Sequence, residues 1–143
     1  MTIAAILEAK GSDVVSVSSE TLVADAARLL GERRIGALLV LDGTGGIAGI
    51  CSERDVVANL GIGGESLLEW TIERIMTAPA VTVTPDSSVE SALQLMTRRR
   101  IRHLPVVESG ELKGIVSIGD LVKHQIDQLA EEADAMRAYI QEA

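Results

Sequence analysis

The chain repeats itself, and this duplication limits its fold more than any single motif does, because a repeat of this size cannot bury its apolar face alone. Residues 15–42 match residues 81–108 at an offset of 66, with ten identities in 28 positions, among them Val15/Val81, Val23/Val89, Ala26/Ala92, Arg33/Arg99 and Ile35/Ile101. One residue is dropped in the next turn. Residues 45–58 then match 110–123 at an offset of 65, with six identities in 14, including Gly45/Gly110, Gly49/Gly114, Ser52/Ser117 and Asp55/Asp120.

Both copies predict the same elements. A short strand (Val15 to Ser18, Val81 to Thr84) precedes a helix whose apolar residues keep helical spacing: Val23, Ala26, Ala27, Leu30 and Val89, Ala92, Leu93, Met96. Ser87 and Glu90 stand in capping-box spacing at the second helix. A hairpin follows, from Ile35–Leu41 to Ile47–Cys51 and from Ile101–Val107 to Leu112–Val116, then a closing helix. Glycine is costly inside a helix, so Gly61 to Gly64 predict a linker. Beyond it Leu68, Ile72, Ile75 and Met76 predict a bridging helix that Pro79 stops. The fold class is α/β (α+β): two βαββα repeats packed with pseudo-twofold symmetry, plus a long C-terminal helix. The repeats are bounded at 1–62 and 63–143 and are expected to form one module around one aliphatic core.

Composition narrows the function. The formal charge of -8 repels a phosphate backbone, and with no Phe, one Trp and one Tyr there is no ladder for stacking bases, so no nucleic-acid partner is expected. No apolar run approaches the roughly 20 residues of a membrane span, and no secretory signal is visible, so a cytoplasmic protein without a membrane partner is expected. The single cysteine, Cys51, lies in an apolar run and predicts a buried thiol. Gly43, Gly45, Gly46 and Gly49 do not fit a phosphate loop and read as a hairpin turn. His103 and His124 are not paired as metal ligands, and no nucleophile stands beside a base, so neither a metal site nor an enzyme is expected.

The strings IERIMTAPAVTVTPDSSVESALQLM, RIRHLPVV and LKGIVSIGDLV resemble the cystathionine-β-synthase (CBS) domain family, and the duplication resembles a tandem CBS pair of the stand-alone bacterial type, over about Val14 to Lys123. The first copy departs from the pattern at Gly36 and Leu39, where the second has Arg102 and Pro105. The resemblance implies two clefts between the copies that receive adenosine-containing ligands, with AMP first and ADP, ATP, NAD(H) or S-adenosylmethionine as alternatives. It also implies dimerisation into a disc, a sensor role and a regulated protein partner. No cofactor is required.

Ser52/Asp55 and Ser117/Asp120 repeat the spacing Ser-x-x-Asp where a strand passes into a helix. Serine there can cap the helix, and aspartate suits the positive end of its dipole. An ionised carboxylate can also accept from both ribose hydroxyls, and in the resembling family these residues hold the ribose. Arg102 stands where many members carry a phosphate-reaching basic residue, and Arg54 is a weaker substitute beside Asp55. By the family pattern Val14, Val15 and Ile35 line the adenine at the Asp120 cleft, and Ala80, Val81, Ile101 and His103 do so at the Asp55 cleft. Core packing is the competing role for the aliphatic residues.

Val122, Ile126, Leu129, Ala133, Met136 and Ile140 alternate spacings of four and three and draw an apolar seam down one helix. The seam predicts a homodimer or a larger even assembly. A structural dimerisation module with unoccupied clefts is the alternative to a nucleotide sensor.

Overall fold

The computed structural model describes residues 1–142 and divides into two compact units, Asp13–Thr82 and Met1–Ser12 with Val83 onward. The first unit contains β1 (Ser16–Ser18), α2 (Val23–Arg33), β2 (Ala37–Leu41), β3 (Ile47–Ser52) and α3 (Glu53–Gly63). The second contains α1 (Ile3–Lys10), α4 (Val89–Arg99), β4 (His103–Glu108), β5 (Glu111–Ser117) and α5 (Ile118–Glu142). The repeat boundary at residue 62 marks duplication in the sequence. The compact units, which follow packing, join the first twelve residues to the second copy.

In the first unit β2 pairs in parallel with β1 and antiparallel with β3. Val23, Ala26 and Leu30 of α2 pack against Leu38, Val40 and Cys51 of the sheet and against Leu67, Ile72 and Ile75. In the second unit β4 and β5 form an antiparallel pair, and the expected strand Val81–Thr84 is reduced to a single parallel bridge between Val83 and Val106. Proline explains the difference. Leu39 N donates to Val15 O at 3.1 Å in the first copy, whereas its counterpart Pro105 has no N–H to give.

Both central helices end on an arginine with positive φ, Arg34 and Arg100. Ile35 N then donates to Leu30 O and Ile101 N to Met96 O, closing a Schellman turn at the same place in each copy. The duplicated Arg-Ile is therefore a helix stop. Gly45 and Gly110 carry positive φ in the two hairpin turns, which accounts for their identity.

Three local expectations are corrected. Helix α3 runs through Gly61 and Gly63 instead of stopping at a linker. Tertiary packing offsets the entropy cost, since a Cβ on Gly63 would lie 2.7 Å from the Trp70 ring. The bridging helix is replaced by two short 3-10 turns, Gly64–Glu69 and Ile72–Arg74, with Trp70 and Thr71 extended between them. That extension lets Trp70 O accept from Val23 N at 2.8 Å, so the backbone serves as the cap that Leu22 cannot provide for α2. Leu67, rather than Leu68, is buried. Finally, α4 is capped by Ser88, whose hydroxyl accepts from Ser91 N at 3.0 Å, while Ser87 turns back to Thr84.

Met1 to Ile6 performs the same task in the second unit. Met1 O accepts from Val89 N, Thr2 bridges Ser88, and Ile3 N donates to Ser87 O, as Trp70 O, Thr71 and Ile72 N do with Val23, Leu22 and Thr21. Each unit is thus an entry segment plus one copy of the repeat, the first strand of the second copy being reduced to the Val83 bridge, and each entry segment is supplied by chain lying ahead of the other copy.

Candidate functional site

Each Ser-x-x-Asp motif sits where a strand turns into a helix, and in both copies it closes on itself. Ser52 Oγ accepts from Asp55 N at 3.3 Å, and Asp55 Oδ2 accepts from Ser52 N at 2.9 Å. Ser117 Oγ accepts from Asp120 N at 3.1 Å, and Asp120 Oδ2 accepts from Ser117 N at 2.8 Å. This reciprocal pair is a capping box with aspartate in the acidic place. It fixes the carboxylate against the helix head and presents it half-buried at the surface.

The entry segments make the two motifs unequal. Lys10 Nζ reaches Asp120 Oδ2 at 2.6 Å and Ile115 O at 2.9 Å. At the first motif the donor is a hydroxyl, Thr77 Oγ1, 3.4 Å from Asp55 Oδ1. Burial would raise the Asp120 carboxyl above the usual carboxylate range, but the bonds from Lys10 and Ser117 outweigh it and hold the group below that range. Sequence reasoning missed Lys10 and Thr77. The signal that finds their segments is Thr-Ile-x-x-Ile, at Thr2 and again at Thr71, an offset of 69 that the 66-residue frame passes over.

Backbone bonds bring Arg102 beside Asp120. Arg102 O accepts from Ile118 N at 2.8 Å at the head of α5, as Gly36 O accepts from Glu53 N at 2.9 Å at the head of α3. His103 pairs with Ser117 across the β4–β5 ladder. Lys10, Arg102, His103, Ser117 and Asp120 therefore share one end of the second unit. Arg54 is exposed in the first turn of α3, next to Asp55.

Among the aliphatic candidates, Val14, Val15 and Ile35 belong to the unit of Ser52, and Val15 and Ile35 pack against its core, as their competing role requires. Ala80 and Val81 are half-buried in that same unit, and Ile101 is half-buried in the unit of Ser117. A surface depression of about 470 Å³ between α2 and α3 is lined by Leu30, Ile35, Glu53 and Val56 among others. Cys51 is buried, and desolvation, reinforced by Asp55, pushes its thiol up to about 12, so it is inert at neutral pH.

The CBS domain family model matches twice, over residues 8–61 and 72–127. The chain belongs to the CBS domain family. It is 34% identical, over 98% of its length and 72% of the relative's, to a mitochondrial CBS domain-containing protein of Arabidopsis thaliana. Two solved CBS-domain proteins superpose with a TM-score of 0.85. One, from Burkholderia ambifaria, is 44% identical, with 89% of this chain and 95% of that one covered; the other, from Agrobacterium tumefaciens, is 37% identical, with 87% and 92% covered. A CBS domain pair solved with 5'-methylthioadenosine and S-adenosyl-L-methionine is 25% identical, with a TM-score of 0.78 over 90% of this chain and 98% of that one. CBS pairs are in general regulatory, ligand-binding modules rather than catalytic ones. Among the described residues, no helix of this CBS pair is long and apolar enough to cross a membrane.

Proposed function

We propose that this CBS pair is a sensor of an adenosine-containing nucleotide, AMP first among them, that passes occupancy to a partner protein and catalyses no reaction. The observation that carries the reading is the Asp120 carboxylate. It is ionised, held in place by Ser117 and paired with Lys10, and the backbone of Arg102 in the same unit bonds Ile118, two residues away. Its bonds to Ser117 N and Lys10 converge on Oδ2, so a ribose diol has Oδ1 as its first acceptor. Lys10 and Arg102 supply local positive charge for a phosphate on a chain of net charge -8. The Asp55 motif has a hydroxyl in place of Lys10 and Gly36 in place of Arg102, so phosphate binding is assigned chiefly to the Asp120 motif. The CBS pair that carries adenosyl ligands gives independent support for the ligand class.

A second reading is favoured by one specific observation: both motifs already satisfy their helix ends, so a structural dimerisation module would also keep them. The exposed seam of α5 supports a homodimer or larger even assembly under either reading. Mass spectrometry of small molecules released from the purified, denatured protein separates the two. The sensor reading expects an adenosine compound bound, or a rise in melting temperature with one of AMP, ADP, ATP, NAD(H) or S-adenosylmethionine. Neither result from any of the five would leave the structural module.

A further inference from the structure

Helix α5 presents two different faces. Leu121 is buried, and His124, Gln125 and Gln128 are half-buried, which marks the face turned to the protein; every residue from Leu129 to Glu142 is exposed. The apolar seam runs along another side, where Ile126, Leu129, Met136 and Ile140 are 60% to 64% exposed. A helical stretch of this length is marginal in water without a partner for its apolar stripe.

The seam has heptad grammar. Ile126, Ala133 and Ile140 take position a, and Val122, Leu129 and Met136 take position d. Ile126 and Ile140 at a with Leu129 at d follow the two-strand preference, and Ala133, Val122 and Met136 fill the other seam positions. The flanking charges choose both the partner and its direction. Glu132 falls at g and Arg137 at e, so two copies aligned in parallel place Glu132 of each against Arg137 of the other. In the antiparallel alignment that pairs the same seam, Glu132 meets its own equivalent, and Lys123 meets Arg137 at both ends. Within one chain Arg137 pairs with Asp134 at 3.3 Å; both side chains are 75% exposed, and such a pair is readily exchanged.

We infer that α5 binds a second copy of this chain as a parallel two-stranded coil in register, which sets the Asp120 carboxylates of both chains at the same end of the dimer. This rests on the homodimer reading given above and adds its direction.

Ile140→Cys in the full chain, mildly oxidised, is the test; Cys51 is buried and un-ionised and does not compete. In a parallel coil the two introduced thiols adjoin, whereas the antiparallel coil sets Ile140 opposite Val122, about 27 Å away along the helix. Rapid disulfide dimers of Ile140→Cys alone are expected. Cross-linking only when it is mixed with Val122→Cys would overturn the direction. A dimer by light scattering that cross-links in neither case would overturn the coil and leave the homodimer standing, and a monomer would remove both. Charge reversal gives a second readout: Glu132→Lys is expected to raise the dimer Kd on the order of ten-fold, and Glu132→Lys with Arg137→Glu to restore it. No restoration would also overturn the parallel pairing.

Discussion

Lys10 and Asp120 join two parts of the chain that lie far apart in sequence, and their pairing predicts how the protein meets acid. Because the Asp120 carboxyl is held below its ordinary value in the folded state, its contribution to stability is present above the unfolded value near 3.8 and is lost as pH falls through the folded value. Lys10→Met removes the ammonium and leaves only the Ser117 bonds to oppose burial. Parent and variant should therefore differ by about 1 kcal/mol at pH 7, as a partly buried pair allows, and converge as pH falls below 3.8 and the parent's Asp120 is protonated. Urea midpoints measured from pH 2.5 to 7 check this. A gap that does not narrow in acid would assign the effect to packing of the lysine stem. The Ser-x-x-Asp motifs were legible in the sequence because capping and ribose binding use the same spacing. Lys10 was not legible, because nothing local links residue 10 to residue 120 until α1 is placed on the second unit.

At the scale of elements, the close approach of the entry segments explains another pair of identities. A Cβ on Gly49 would lie 2.6 Å from Thr77 O and 2.9 Å from Met76 Sδ, and one on Gly114 would lie 2.8 Å from Leu7 Cδ2. The first obstacle is backbone that also bonds Ile50, whereas the second is the tip of a flexible side chain. Gly49→Ala should cost about 1–3 kcal/mol, and Gly114→Ala less, in chemical denaturation. Gly43→Ala, with nothing within 4 Å, is the neutral control. Equal losses at Gly49 and Gly43 would contradict the close approach. Helical and strand periodicity gave α2, α4 and both hairpins, because those elements bury one face and write it into the sequence. It failed at residues 61–76, where the ring of Trp70 and the backbone needs of α2 decide the conformation. It failed again at Val81–Thr84, where the missing N–H of Pro105, on a different strand, removes a ladder bond.

For the whole molecule, the duplication was legible while its spatial assignment was not. Two frames, 66 for the βαββα body and 69 for the entry segment, produce units that interleave along the chain. The module and the tail are separable in turn: truncation after Lys123 removes most of the seam yet keeps Ser117, Asp120, Lys10 and Arg102. The truncated chain should still bind nucleotide while its dimer weakens by at least ten-fold in light scattering, since each large side chain left without a partner forgoes roughly 1.5–3 kcal/mol. An unchanged dimer would place the contact elsewhere on the module.

Calorimetric titration of the full chain and of Asp120→Ala with AMP reads out whether Asp120 holds the ribose of an adenosine ligand. Saturable binding by the parent is expected and, in the variant, an affinity lower by ten-fold or more, consistent with a charge-assisted bond worth about 1.5–3 kcal/mol. Binding of equal affinity and stoichiometry in both proteins would contradict it.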